Sequence, residues 1–238
     1  MKKLNCLVTG ASSGIGKEIS IELSTYAKHI YICSRNVQKL EIVHDKIIEN
    51  NCECTIVPLN LCDENVIENL AKQIQVKDTS LDILVLSAGI INELSPVESI
   101  DLENFKNIIN LNFLSNFRMV KSFHSLLKSS NNAYIAAVSS LKDPSKEYYW
   151  GIYQPIMTAL NELLLTYSKE NKGTNIKTSI FCPLAVNTKL RDVIMPGEDK
   201  SKISDPKEVA AKIVNYIIDA AGTGAVSYTH LRAHETHE

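Results

Sequence analysis

Short apolar stretches alternate with helical patterns along most of this chain, and that alternation limits the folds open to it. Residues 4–9, 29–33, 54–59, 83–86, 133–138 and 176–181 are apolar or β-rich and lack the polar alternation of a half-exposed strand. Strands of that kind are buried on both faces. Between them run helical patterns over about 15–27, 36–50, 102–128 and 152–168. Leu40, Val43 and Ile47 fall near one helix face, and Val66, Leu70 and Ile74 recur four apart behind Asp63, which reads as a helix cap. Asp205 reads as the cap of a last helix over about 206–220, with Pro206 in its first turn. The pattern predicts an α/β fold, a Rossmann-like doubly wound parallel sheet between two helical layers.

Composition excludes several classes. Hydrophobic residues make up 45% and charged residues 22%, the balance of a globular protein rather than a disordered one. A net charge of −2 leaves no basic footprint for nucleic acid or an acidic membrane. No apolar run approaches the ~18 residues that a membrane span needs. The start, MKKLNC, runs straight into Thr9-Gly10 and reads as the first strand of a cytoplasmic protein. Six scattered cysteines read as reduced, mostly buried thiols. His29, His44 and His124 are isolated, so no metal site is expected. Residues 226–236 (Val-Ser-Tyr-Thr-His-Leu-Arg-Ala-His-Glu-Thr) resemble an in-frame translation of a transposon-based sequencing-library adapter. The expected organisation is one domain over 1–225 and a non-native tail over 226–238. The edge strand expected after Ala220 would then be truncated.

The first chemical signal is Thr9-Gly10-Ala11-Ser12-Ser13-Gly14-Ile15-Gly16, between the first strand and the first helix. Gly10 permits a tight turn, Gly14 lets backbone approach a pyrophosphate, and Gly16 lets helix pack on strand. The helix start then offers N–H groups to the phosphates. The second strand ends Cys33-Ser34-Arg35, with no carboxylate to take ribose hydroxyls. Arg35 can fork onto a 2′-phosphate and Ser34 can donate to it, so NADP is expected over NAD.

The TGxxxGxG spacing resembles the short-chain dehydrogenase/reductase family. Leu86-Ser87-Ala88-Gly89, Asn112, Ser139-Ser140, Tyr153 thirteen residues after Ser140, Pro183 and Thr188 extend the resemblance. Tyr149-Trp150-Gly151 and Met195-Pro196-Gly197-Glu198-Asp199 look like a bacterial subgroup, the YciK-like oxidoreductases. The resemblance implies roles. Gly10, Ser12, Ser13, Gly14, Ile15 and Gly16 would cradle the dinucleotide, with Ser34 and Arg35 at its ribose and Asn60 and Leu61 near adenine. Ser87, Ala88, Gly89, Tyr153, Pro183 and Thr188 would flank the nicotinamide end. Ser140 would polarise a carbonyl, Tyr153 would pass the proton, and Asn112 would hold a water or the local backbone. The implied substrate is a small carbonyl compound or alcohol. The implied assembly is a homodimer or homotetramer through the helices near 102–128 and 152–168.

The chain departs from the family pattern at four places. Met157 stands where the family has a lysine that lowers the tyrosine pKa. Ser87 replaces an asparagine, Leu184 a glycine, and Asn60 an aspartate. Lys142 or Lys146 could fold back as a substitute cation, or remain solvated loop residues. Residues 189–204 read as a mobile lid. Two functions stay open: an NAD(P)(H)-dependent oxidoreductase favouring carbonyl reduction, or a nucleotide-binding pseudoenzyme or sensor of the same fold.

Overall fold

The computed structural model describes residues 4–140, 148–223 and 228–229. Lys142, Lys146, His230, His234 and His237 lie outside them. Strands β1 (Leu4–Thr9), β2 (Ala27–Ser34), β3 (Glu53–Pro58), β4 (Ile83–Leu86), β5 (Ala133–Val138), β6 (Ile176–Phe181) and β7 (Tyr228–Thr229) form one sheet in the order β3-β2-β1-β4-β5-β6-β7. Every pairing is parallel. β7 is two residues long and falls within residues 226–238. Strand order reverses between β1 and β4, which opens a crevice at the carboxyl ends of the strands.

Helices α1 (Gly14–Leu23), α2 (Val37–Glu49) and α8 (Pro206–Thr223) cover one face of the sheet. Ile19, Leu40, Ile47 and Ile213 pack there against Val8, Ile30 and Val85. Helices α3 (Val66–Lys77), α5 (Ser115–Lys128) and α6 (Tyr153–Glu170) cover the other face. Ile67, Leu70, Phe123 and Leu164 meet Leu7, Leu84 and Ile135 there. Burying both faces is why the strands carry no polar alternation.

Local chemistry sets the helix ends. Asn36 caps α2 by accepting from the Lys39 N–H at 2.9 Å, and Asp205 accepts from the Lys207 N–H at 2.7 Å as α8 begins. α1 stops at Leu23, short of residue 27. The hydroxyls of Ser24 and Thr25 donate to the Ile21 and Glu22 carbonyls and satisfy the last turn. Asp63 does not cap α3. That helix starts after Asn65, held at φ 59, while Asp63 accepts instead from the Asn60 side chain.

The long helix expected over 102–128 is broken. α4 (Leu102–Ile108) passes into a π-helical segment, Ile109–Leu114, before α5 resumes. This segment carries Asn112. The expected lid is a short helix, α7 (Lys189–Ile194), and a 3-10 turn, Lys200–Lys202. The six cysteines form no disulfide, and Cys6, Cys33, Cys52 and Cys182 are buried. No helix among the described residues is long and apolar enough to cross a membrane.

Candidate active site

The crevice at the strand ends is a cleft of about 330 Å³. The turn after β1 supplies Gly10, Ser12, Ser13, Gly14, Ile15 and Gly16, and the end of β2 supplies Ser34 and Arg35. Asn60 and Leu61 follow β3, Ser87, Ala88 and Gly89 follow β4, and Ser140 follows β5. Pro183 and Thr188 follow β6, while Asn112 and Tyr153 enter from the helical layer. Every residue to which the resemblance gave a cofactor-binding or catalytic role therefore lines one cleft. The sheet order puts β2 three strand spacings from β5, roughly 14 Å, so Arg35 and Ser140 lie toward opposite ends.

The glycine turn is held tightly. Gly10 has φ 69, and a Cβ there would sit 2.8 Å from the Ala88 backbone. A Cβ on Gly16 would sit 2.6 Å from the Gly10 carbonyl oxygen, so α1 presses directly on the turn. Thr9 buttresses the next loop: its hydroxyl donates to the Val85 carbonyl and accepts from the Ser87 and Ala88 N–H groups. Ser13, the first residue before α1, makes no side-chain cap. The N–H groups at the start of α1 thus remain available to an anion. That donor set and the glycine cradle fit a pyrophosphate.

Beside the turn, the Ser34 hydroxyl donates to the Ser12 hydroxyl at 2.8 Å, tying the end of β2 to the glycine loop next to Arg35. Asn60 is engaged locally. Its Oδ1 accepts from the Cys62 N–H at 3.3 Å and its Nδ2 donates to Asp63 at 2.7 Å.

At the other end, Trp150 packs edge-on to the Tyr153 ring, with centroids 6.1 Å apart. Burial pushes the Tyr153 hydroxyl up to about 12. The nearby Cys182 thiol, also raised to about 12 by burial, is uncharged at pH 7 and leaves desolvation as the cause. Met157 lies one helical turn beyond Tyr153 and is 4% exposed. Its sulfur meets the Asn112 Nδ2 at 3.8 Å. The rest of the Asn112 amide is tied to backbone: Oδ1 accepts from the Ile90 N–H at 2.9 Å and Nδ2 donates to the Ile90 carbonyl at 2.8 Å. The π-helical widening leaves the Asn112 carbonyl to the Asn116 side chain, which donates to it at 2.7 Å. Asn112 therefore holds the local backbone here.

Sequence reasoning missed Asn116 among the lining residues, because the π-helical segment had to be seen first. Lys189, Leu190, Arg191 and Ile194 also line the cleft and fall in the segment read as a lid. Arg191 is locked onto Glu198 by two hydrogen bonds, at 2.7 and 2.6 Å, which fastens α7 to the following segment. Leu184 is 59% exposed on the rim.

A parallel sheet with a glycine turn at its switch point, and a serine and a tyrosine across the same crevice, defines a dinucleotide-dependent dehydrogenase fold. Residues 5–199 match the short chain dehydrogenase family, and the chain belongs to it. It is 25% identical over 217 residues to a tropinone reductase homologue of Arabidopsis thaliana, covering 90% of this chain and 81% of that protein. It is 24% identical to the uncharacterized oxidoreductase YciK of Escherichia coli, over 85% of this chain and 81% of that one. An alcohol dehydrogenase of Thermococcus sibiricus, solved with 5-hydroxy-NADP, superposes with a TM-score of 0.87 at 24% identity, covering 97% of both chains.

Proposed function

We propose that this member of the family is an NADP(H)-dependent carbonyl reductase. The observation that carries the reading is geometric: Tyr153 and Ser140 line the same cleft as the glycine turn and Arg35. The structural relative bound to an NADP derivative supports the choice of nucleotide. Arg35 stands at the end of β2, where a cation would meet a 2′-phosphate, and no carboxylate stands there to favour NAD.

When bound, the reduced nicotinamide supplies a hydride to the carbonyl carbon. Tyr153 donates its phenolic proton to the carbonyl oxygen, and Ser140 steadies that oxygen as negative charge develops. The phenolate left behind takes its proton back from solvent in the open cleft. With its hydroxyl pushed up by burial, Tyr153 is protonated at pH 7. A protonated phenol suits a proton donor. It is a poor starting point for the base that alcohol oxidation needs.

A second reading, a nucleotide-binding protein without turnover, has Met157 in its favour. The retained Ser140 and Tyr153 and the oxidoreductase relative weigh against it. Exposed Leu114 and Phe117, at and beside the start of α5, support a homodimer or homotetramer through that layer.

The test is NADPH oxidation in the presence of benzaldehyde, acetophenone and cyclohexanone. Reduction of at least one carbonyl is expected, with Tyr153→Phe lowering kcat about 100-fold. No reduction of any of them by folded protein, or full activity in Tyr153→Phe, overturns the proposal.

A further inference from the structure

β5 delivers two serines to the cleft, and one buried amide holds both. Asn161 lies on α6, eight residues after Tyr153 and four after Met157, so the three share a helix face. It is 4% exposed. Its Oδ1 accepts from the Ser139 hydroxyl at 2.5 Å, and its Nδ2 donates to the Ser140 carbonyl at 2.9 Å. On the other side, the Ser139 N–H donates to the Phe181 carbonyl at 2.8 Å. The end of β5 is thereby pinned between β6 and the helix that carries Tyr153.

An amide on this face costs desolvation that its neighbours Leu160 and Leu164 avoid. Leucine would fill the space without orienting anything. The amide instead matches a donor to the Ser140 carbonyl and an acceptor to the Ser139 hydroxyl, and both bonds lie where breaking one strands a buried polar group.

We propose that Asn161 is a positioning residue for the reduction, fixing Ser140 in register with Tyr153 by tying the end of β5 to α6. The proposal rests on the reductase reading. It predicts that loss of the amide moves Ser140 and leaves Tyr153 and the glycine turn in place. A shift of about 1 Å at a catalytic group costs roughly 100-fold in rate.

The experiment is a double-mutant cycle on NADPH-dependent reduction of the best of the three carbonyl probes. It uses Asn161→Leu, Ser140→Ala and the double variant. Asn161→Leu is expected to lower kcat about 100-fold, with KM and NADPH Kd within threefold of native. In the Ser140→Ala background the same substitution should cost less than threefold, because its effect runs through Ser140. A crystal structure of Asn161→Leu should show the Ser139–Ser140 backbone displaced and Tyr153 unmoved. If Asn161→Leu fails to fold, Asn161→Asp carries the same cycle, keeping the acceptor for Ser139 and losing the donor to Ser140. An equal loss in both backgrounds, or unchanged kcat in a protein whose Ser140→Ala variant is slow, overturns the role of Asn161 alone. A Ser140→Ala variant at full rate, or a native protein with no turnover, overturns the reductase reading and this inference with it.

Discussion

Replacing Met157 with lysine tests what the thioether does to Tyr153. Residues four apart on a helix bring their side chains to about 5.5 Å. An ammonium at that distance stabilises a phenolate by about 3 kcal/mol at an effective dielectric near 20, or about two pKa units. Tyr153 would fall from about 12 to roughly 10. At pH 8 the ionised share rises about 100-fold, and because a weaker base is also less reactive, alcohol oxidation should rise between about 10- and 100-fold. Carbonyl reduction should rise by a similar factor, since the phenol stays protonated in both proteins but becomes a stronger acid, and the overall equilibrium of the reaction does not change. Met157 lines the cleft, so a lysine stem can fill its place and carry the charge outward. The stability cost should be about 1–3 kcal/mol, read as a lower Tm. The assay is initial rates in both directions from pH 6 to 10 with saturating NADP⁺ or NADPH. In native protein, the oxidation rate should climb through pH 10 without a plateau. No gain in either direction by folded Met157→Lys would exclude an ammonium effect on Tyr153.

Other perturbations read other parts of the structure. Gly10→Ala drives a Cβ to 2.8 Å from the Ala88 backbone at φ 69, so it should cost about 3 kcal/mol and lower Tm by roughly 6–12 °C. Gly173→Ala, with open space around it, should cost only about 1 kcal/mol; equal Tm losses would contradict the close packing at Gly10. Arg35→Ala should weaken NADPH binding about 10- to 100-fold and leave NADH within threefold, measured by nucleotide fluorescence. Loss of both affinities in parallel would remove Arg35 from 2′-phosphate recognition. Burial, with Lys77 adding, lowers His29 below 6.5, so the fold prefers its neutral form. Its contribution to stability is complete above pH 6.5 and lost as pH falls toward the lowered value. Urea midpoints at pH 7.5 and 5 should differ less in His29→Gln than in native protein; an identical drop in both excludes His29 as a source.

The sheet was legible because strands buried on both faces have a plain apolar signature, and the glycine turn because its spacing places it after β1. Boundaries were less so. Ser24 and Thr25 end α1 early through side-chain bonds to carbonyls, and Asn65 takes the start of α3 from Asp63 through a positive φ. The π-helical segment around Asn112 leaves no mark in apolar periodicity, since it depends on how Asn112 and Asn116 trade backbone partners. Asn161 was the more recoverable omission. A lone amide eight residues beyond Tyr153, on a face otherwise set by Met157 and Leu164, was visible in the periodicity. Its two serine partners were not, because they come from β5.

The most direct test of the account is a titration of the protein with NADPH and then NADH, followed by nucleotide fluorescence. The account predicts saturable binding of both, with NADPH at least tenfold tighter. Tighter NADH binding would contradict the reading of Arg35, and no binding of either by folded protein would contradict the dinucleotide site itself.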